Sequence, residues 1–344
     1  MTLSPPSAER LRALEAIRER LLDASRVVLT THVNPDGDGL GSMVALASRL
    51  RRRGVEATIV TPSRPPRSLE FVIEDVPALV ADDPAADDPL SGADAVAVLD
   101  TAEPDRLGAL PAHVERVGGV LIDHHPAVGE PLVEPAIRDP SACATGELVY
   151  DLLAADGLPL EPIEARGLYV AIATDTGSFQ FSNTSSRAHR LAAILLEAGV
   201  DPAAMYRKLY GVYTRGRLAL VQRGLETLEV DPRAPIAWIA LDHRALARTG
   251  ARGEDMEGLV EFPRRLEGIE VGLFFRGLSA DRTKVSLRSN GRVDVGAVAE
   301  ELGGGGHAKA SGVVIESGLE EAIRTVLEKL RPRVDAAADP KGAP

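Results

Sequence analysis

The chain has 344 residues, of which 44% are hydrophobic and 26% charged, with a formal net charge of −12 and one cysteine. That length suits two domains with cores of their own, the composition is that of a soluble globular protein, and the acidic balance argues against sequence-independent coating of long duplex nucleic acid. Cys143 alone excludes an intramolecular disulfide and any multi-thiolate zinc or iron–sulfur site. With no apolar run of about 18 residues and no signal-peptide core, the expectation is a cytoplasmic protein that keeps off the membrane.

A polar lead runs into an amphipathic N-terminal helix. Strand patterns follow at 26–33, 56–61, 94–100 and 118–125, with a helix at 39–54 after the first. Short β-branched runs separated by helical patterns predict a parallel α/β sheet. Helical periodicity continues over 145–157, 163–175, 186–199 and 214–230. Strands resume at 236–242, 271–278, 283–290 and 311–316, mixed with helices at 293–302 and 319–330. The change of pattern predicts a first domain over 1–195, a helical linker over 196–230, a smaller α/β domain over 231–333 and a disordered tail over 334–344.

Acidic and histidine residues gather at one kind of place. His32, Asp36 and Asp38 follow the first strand in "THVNPDGDGLGS", Asp100 ends "DAVAVLD", Asp123, His124 and His125 end "VLIDHH", and Asp175 lies in "AIATDTGS". All are read as C-terminal strand ends, where an open parallel sheet binds ligands. Carboxylates this close repel one another unless a cation lies between them. Carboxylate and imidazole together suit Mn²⁺ or Mg²⁺, and two ions sharing a carboxylate would generate hydroxide for in-line attack on phosphorus. Taken singly, "DGDG" is more often a turn, and it fails as a calcium loop because the closing glutamate is missing at the required offset. Four such strand ends in one sheet are what outweigh the bland reading.

In the second domain, the run Gly303 to Gly306 reads by composition as a flexible loop. It also lies between a helix and a strand, where backbone N–H groups can approach a phosphate. Arg288, Asn290 and His307 are close by in sequence, in a stretch richer in Lys and Arg than in acids. His113, His189 and His243 are expected on surfaces or helix faces, and Trp238 and Cys143 in the core.

In this order, "THVNPDGDGLGS", "VLD", "LIDHHP" and "ATDTGSF" resemble the four motifs of the DHH phosphoesterase superfamily, and "SLRSNG" with "ELGGGGHAKASG" resembles the DHHA1 substrate-binding domain. The resemblance runs from about residue 20 to 332, and the size is similar to the bacterial nanoRNase and pAp-phosphatase group. It implies an N-terminal DHH domain, a helical linker and a smaller C-terminal DHHA1 domain. His32 and Asp36 would hold one Mn²⁺, Asp38, His124 and Asp175 the other, and Asp100 would bridge them, with Mg²⁺ as the alternative metal. Asp123 would orient His124, and His125 would face the scissile phosphate. Arg288, Asn290, Gly304, Gly305, Gly306 and His307 would bind substrate. The implied activity is hydrolysis of short RNA or DNA oligonucleotides and dephosphorylation of pAp by an enzyme that similar proteins suggest is a homodimer. A cyclic dinucleotide phosphodiesterase, a RecJ-like single-strand exonuclease and a non-catalytic nucleotide sensor are the alternatives. A compact second domain closing over the metal rim would favour short substrates.

Overall fold

The computed structural model describes residues 3–126, 129–211 and 213–338. The chain divides into two units, Met1–Val212 and Tyr213–Pro344.

In the first unit the elements run α1 (Ala8–Leu22), β1 (Arg26–Thr30), α2 (Gly37–Arg52), β2 (Glu56–Thr61), α3 (Glu70–Ile73), β3 (Ala78–Val80), α4 (Asp87–Ser91), β4 (Ala95–Leu99), α5 (Pro111–Val117), β5 (Gly119–Asp123), β6 (Ala136–Arg138), α6 (Thr145–Ala155), α7 (Pro162–Asp175), α8 (Ser186–Glu197) and α9 (Pro202–Tyr210). The strands form one parallel sheet in the order β3-β2-β1-β4-β5-β6. Every residue of β4 and β5 is buried, as strands covered by helices on both faces must be, which is why they read as continuous apolar runs. The chain builds outward from β1 to β3, then returns to start β4 on the other side of β1. The switch in direction falls between β1 and β4, and there the crevice at the carboxyl ends is left open.

One helix contact sets the geometry of that edge. Gly41 of α2 faces Gly167 of α7 so closely that a Cβ on Gly41 would lie 2.2 Å from the Gly167 carbonyl oxygen, and one on Gly167 2.6 Å from that of Gly41. Only glycine permits two backbones to touch this way. The contact brings the first turn of α2, with Asp36 and Asp38, beside the last turn of α7, with Asp175.

The second unit contains α10 (Arg215–Glu226), β7 (Glu229–Val230), β8 (Ile236–Leu241), α11 (Ala245–Thr249), α12 (Glu261–Arg264), β9 (Val271–Gly277), β10 (Thr283–Ser289), α13 (Val295–Glu301), β11 (Gly305–His307), β12 (Ala310–Ile315) and α14 (Leu319–Ala338). Its mixed sheet has the order β11-β12-β10-β9-β8-β7, with only β8 and β9 parallel. Ala322, Val326, Leu330 and Val334, a helical stripe of α14, pack into the same core as Trp238, Phe275, Val285 and Leu287.

The expected α/β class and the two sheets stand, with three corrections. The short strands β3, β6, β7 and β11 escape any periodicity argument because two or three residues carry no alternation. The glycine run is not a free loop: Gly305–His307 pairs with Ala310–Gly312 as an edge strand. The tail expected from 334 is helical as far as Ala338. Burial of Val334 offsets the helix-breaking tendency of Pro332. Residues 339–344 of that tail lie outside the described residues.

Candidate metal centre

Three segments converge at the β1/β4 crevice, and a fourth joins them from a helix. β1 leads through Thr31 into His32, and Asp36 then caps α2, its Oδ1 accepting from the N–H groups of Asp38 and Gly39. β4 ends at Asp100, and β5 ends at Asp123 with His124 and His125 behind it. Asp175 is the last residue of α7, as the helical periodicity over 163–175 predicts, which corrects its reading as a strand end.

Two separate groups of donors could each hold a metal ion: His32 with Asp36 and Asp100, and Asp38 with His124 and Asp175. They meet at Asp100. Its Oδ2 lies 3.5 Å from His32 Nε2, and its Oδ1 lies 3.7 Å from His124 Nε2. His32 Nε2 is also 3.6 Å from Asp36 Oδ2, while His124 Nε2 is 3.6 Å from Asp175 Oδ2 and 3.7 Å from Asp38 Oδ2. His32 Nδ1 lies 2.8 Å from the Val33 carbonyl, a bond that holds a proton on Nδ1 and leaves Nε2, the nitrogen facing the carboxylates, as the ring's ligand atom for a metal. His124 Nε2 is buried without a hydrogen-bond partner among the described residues, as suits a nitrogen whose lone pair is a metal donor.

Electrostatics agree with that fit. Burial first, then the charges of Asp100, Asp175 and Asp36, pushes the Asp38 carboxyl well above its ordinary value. Burial dominates again for Asp100, which is raised although His32 pulls the other way, and for Asp175, which is pushed up to about 6. For His32, burial opposes the charge, but the hydrogen bonds of Asp100 and Asp36 override it and push the imidazole up to about 10. Asp36, held by His32 against the cost of its own burial, drops to about 2. The proton on His32 thus stands in for positive charge that the carboxylates require.

His125 sits apart from this chemistry. Asp123 Oδ1 accepts from both the backbone N–H of His125 (3.1 Å) and its Nδ1 (2.7 Å). That corrects the expectation that Asp123 orients His124. The hydrogen bond to Asp123 raises the His125 pKa against its burial. Asp100, His124 and His125 also lie close enough to form a third donor group, but the nearer nitrogen of His125 is already committed to Asp123.

Sequence reasoning missed the residues that hold the donors in place. Asp38 accepts from Thr145 N (2.7 Å), Gly146 N (2.9 Å) and Ser42 Oγ (3.2 Å), so the first turn of α6 clasps it. Thr145 Oγ1 donates to Asp100 Oδ1 at 3.1 Å, steadying a residue whose backbone has φ 64, a strained conformation for an aspartate in a ligand site. Asn183 Nδ2 donates to Asp175 Oδ2 (3.1 Å) and to the Cys143 carbonyl (2.9 Å). Thr145 opens a helix that the sequence does predict, yet nothing in it announces contacts with residues 107 and 45 positions away.

In the second unit, Arg288 is partly buried, donates to the Leu287 carbonyl (3.0 Å) and has its pKa lowered by burial. Among the described residues no ion-pair partner holds it. Asn290 is differently engaged: Nδ2 donates to the carbonyls of Arg264 (3.0 Å) and Ile269 (2.8 Å), and Oδ1 accepts from Arg264 Nη1 (2.8 Å). It pins the loop before β9 and has no donor to spare. Gly306 and His307 are exposed on the edge strand, with Gly304 and Gly305 partly covered. Among the described residues no helix is long and apolar enough to cross a membrane.

Residues 26–172 match the model of the DHH family, N-terminal domain, and residues 240–335 that of the DHHA1 domain. The chain is 34% identical over 316 residues to the bifunctional oligoribonuclease and PAP phosphatase NrnA of Thermus thermophilus, covering 90% of this chain and 91% of that one. It is 27% identical over 371 residues to the cyclic-di-AMP phosphodiesterase GdpP of Geobacillus thermodenitrificans, covering 92% of this chain and 50% of the other. Among solved structures, an exopolyphosphatase-related protein from Bacteroides fragilis superimposes with a TM-score of 0.89 at 26% identity, over 96% of this chain and 98% of that one.

Proposed function

The chain belongs to the DHH/DHHA1 superfamily of metal-dependent phosphoesterases, and on that premise we propose that it hydrolyses short oligonucleotides from an end and removes a phosphate from pAp. His32, Asp36 and Asp100 would hold one divalent ion and Asp38, His124, Asp175 and Asp100 the other, Mn²⁺ foremost and Mg²⁺ as the alternative. The observation that carries this reading is the arrangement at Asp100, whose two oxygens each face the imidazole of a different donor group. When bound, such ions polarise a phosphoryl oxygen and supply a hydroxide nucleophile at neutral pH.

The protein's own groups do the remainder. Asp123 fixes the His125 ring and, through that hydrogen bond, raises its pKa against burial. With Nδ1 committed, Nε2, which has no partner among the described residues, can donate to a phosphoryl oxygen or to the leaving oxygen. Asn183 and the first turn of α6 keep Asp175 and Asp38 in place, limiting the reorganisation needed as charge develops. Arg288, Gly304, Gly305, Gly306 and His307 are the groups we assign to gripping substrate. Asn290 supports them from behind by holding Arg264. The net charge of −12 offers a long strand no continuous basic track, which favours dimers to about five-mers over 20-mers.

The test is a product time course on end-labelled RNA and DNA of two to 20 nucleotides, with pAp and cyclic di-AMP alongside, in Mn²⁺ and in Mg²⁺. Short oligomers and pAp should be turned over fastest. A kcat/KM that climbs with length up to 20-mers would replace this reading with a RecJ-like exonuclease. The likeness to GdpP favours a second reading, and cyclic di-AMP consumed ahead of pAp would establish it.

A further inference from the structure

The turn that follows Asp175 is more elaborate than holding a carboxylate requires. Gly177, Ser178 and Phe179 have φ 56, 57 and 66, three successive left-handed residues of which two carry a Cβ. Strain of this kind persists only where the surroundings fix it, and here they do. Ser178 N donates to the Ala173 carbonyl (2.7 Å), Phe179 N to Thr176 Oγ1 (3.1 Å), and the amides of Gln180 and Phe181 both donate to the Thr176 carbonyl (2.9 and 3.0 Å). The far end is tied down by Asn183, which reaches back to Asp175 Oδ2.

What this turn delivers is Phe181. Its ring lies against Gly177, where a Cβ would fall 2.5 Å from the ring atoms, so the absence of a side chain at 177 lets the ring rest on the backbone. The residue is nevertheless 56% exposed and belongs to none of the hydrophobic cores. Six phenylalanines occur in the chain, and this one, backed on one side and open on the other, is strapped through Asn183 to a metal-site carboxylate that itself borders solvent.

We propose that Phe181 is a stacking platform for a nucleobase of the substrate, binding the nucleotide whose phosphate lies at the Asp175 end of the metal rim. The inference rests on the nucleotide-phosphoesterase reading above and adds to it the residue that holds a base. Every base presents a π-face, so an aromatic platform confers affinity for nucleotides without sequence preference, as an enzyme acting on mixed short oligomers requires.

Phe181→Leu, Phe181→Trp and Gly177→Ala are to be assayed on the dinucleotide pApA and on its two singly abasic counterparts in Mn²⁺. Phe181→Leu should raise KM for pApA about 5- to 100-fold with kcat little changed, the signature of lost binding common to ground and transition states. Phe181→Trp should restore KM, Gly177→Ala should behave like Phe181→Leu, and one abasic substrate should be indifferent to all three. In metal-free Phe181→Trp protein, pAp should quench the new tryptophan, while Trp238 is buried and gives a steady background. An unchanged KM in Phe181→Leu, equal effects on both abasic substrates, or no quenching at saturating pAp would each overturn the platform. Wild-type protein that cleaves no nucleotide at all would instead overturn the functional reading, and the quenching arm would then judge the stacking by itself.

Discussion

Helices α2 and α7 lie side by side and bury charge at both ends of the pair, with opposite outcomes. At one end Arg49 bonds Glu164 through Nε (3.0 Å) and Nη2 (2.8 Å) and Asp156 through Nη1 (3.1 Å), with Arg52 adding a further bond to Glu164. Burial would raise both carboxyls, yet the guanidinium bonds hold Glu164 and Asp156 below their usual range. At the other end, Asp38 is fully enclosed and Asp175 partly so, their charged neighbours are histidines and further carboxylates with no guanidinium among them, and both are raised. The first cluster is neutralised from within and holds helices together. The second is short of positive charge, and a fold keeps such a deficit where a cation from outside completes it.

The sharpest way to break the contrast is Asp100→Asn. It removes the carboxylate common to both donor groups, so turnover in Mn²⁺ should fall to background and the metal-induced rise in melting temperature should vanish. The metal-free variant should melt no lower than wild type, since a repelled charge has gone. Kinetics, metal content and calorimetry read all three, and persistent turnover would refute the shared-carboxylate arrangement. The opposite end should respond oppositely. Arg49→Met removes the guanidinium that Glu164 and Asp156 share, leaving them Arg52 and Arg53, and should cost about 1.5–3 kcal/mol of stability by urea titration, with activity per folded molecule retained.

His125→Ala should lower kcat by about 10²–10³ while both metals stay bound, because this ring's partner is Asp123 and the ions are held elsewhere. Loss of metal in His125→Ala, measured by elemental analysis, would move this histidine into the donor set.

The smallest effect is the pH dependence of stability. Glu164 and Asp156 have folded pKa values below their unfolded ones, so their contribution is present above about pH 4 and is lost as pH falls through the lower values. In metal-free protein, Asp175 has the reverse sign: raised to about 6, it protonates first in the folded state, and stability falls as pH rises from about 4 through 6. Metal-free protein should therefore be most stable in mildly acid solution, and the stabilisation by Mn²⁺ should grow between about pH 5 and 8. Calorimetric scans showing a metal-free stability flat across that range would contradict the raised Asp175.

The donors were legible in the sequence because each follows a break in an apolar run, and a parallel sheet carries such breaks to one edge. Asp175 reads both as the end of the helical run over 163–175 and as a strand end, since "AIATD" looks the same at the close of a strand or of a buried helix, and the helical reading is the one that stands. Thr145, Ser42 and Asn183 could not be read at all. They matter through contacts that depend on how α6, α2 and the turn after α7 pack, and a threonine at a helix start looks like any other. That Asp123 bonds His125 and not the His124 that the resemblance implies is hidden for a related reason, because the directions of adjacent side chains are set only by the folded backbone. In the second unit, Asn290 stands beside Arg288 in "SLRSN" but spends its side chain on Arg264 and Ile269, a distinction that composition does not carry.

The contact of Gly41 with Gly167 makes the spacing of the donor groups a question of leverage. Asp175 lies eight residues beyond Gly167 on α7, an arm of about 12 Å at the helical rise. No side chain cushions the point where the two rods touch, so a methyl placed there has no rotamer to yield and must displace a whole helix. An alanine at Gly167 would leave all six donors chemically intact and shift one of them by a fraction of an ångström or more, on the scale at which about 1 Å of misplacement can cost about 10² in rate. The spacing of the donors is thus governed partly at a bare stretch of backbone that carries none of them.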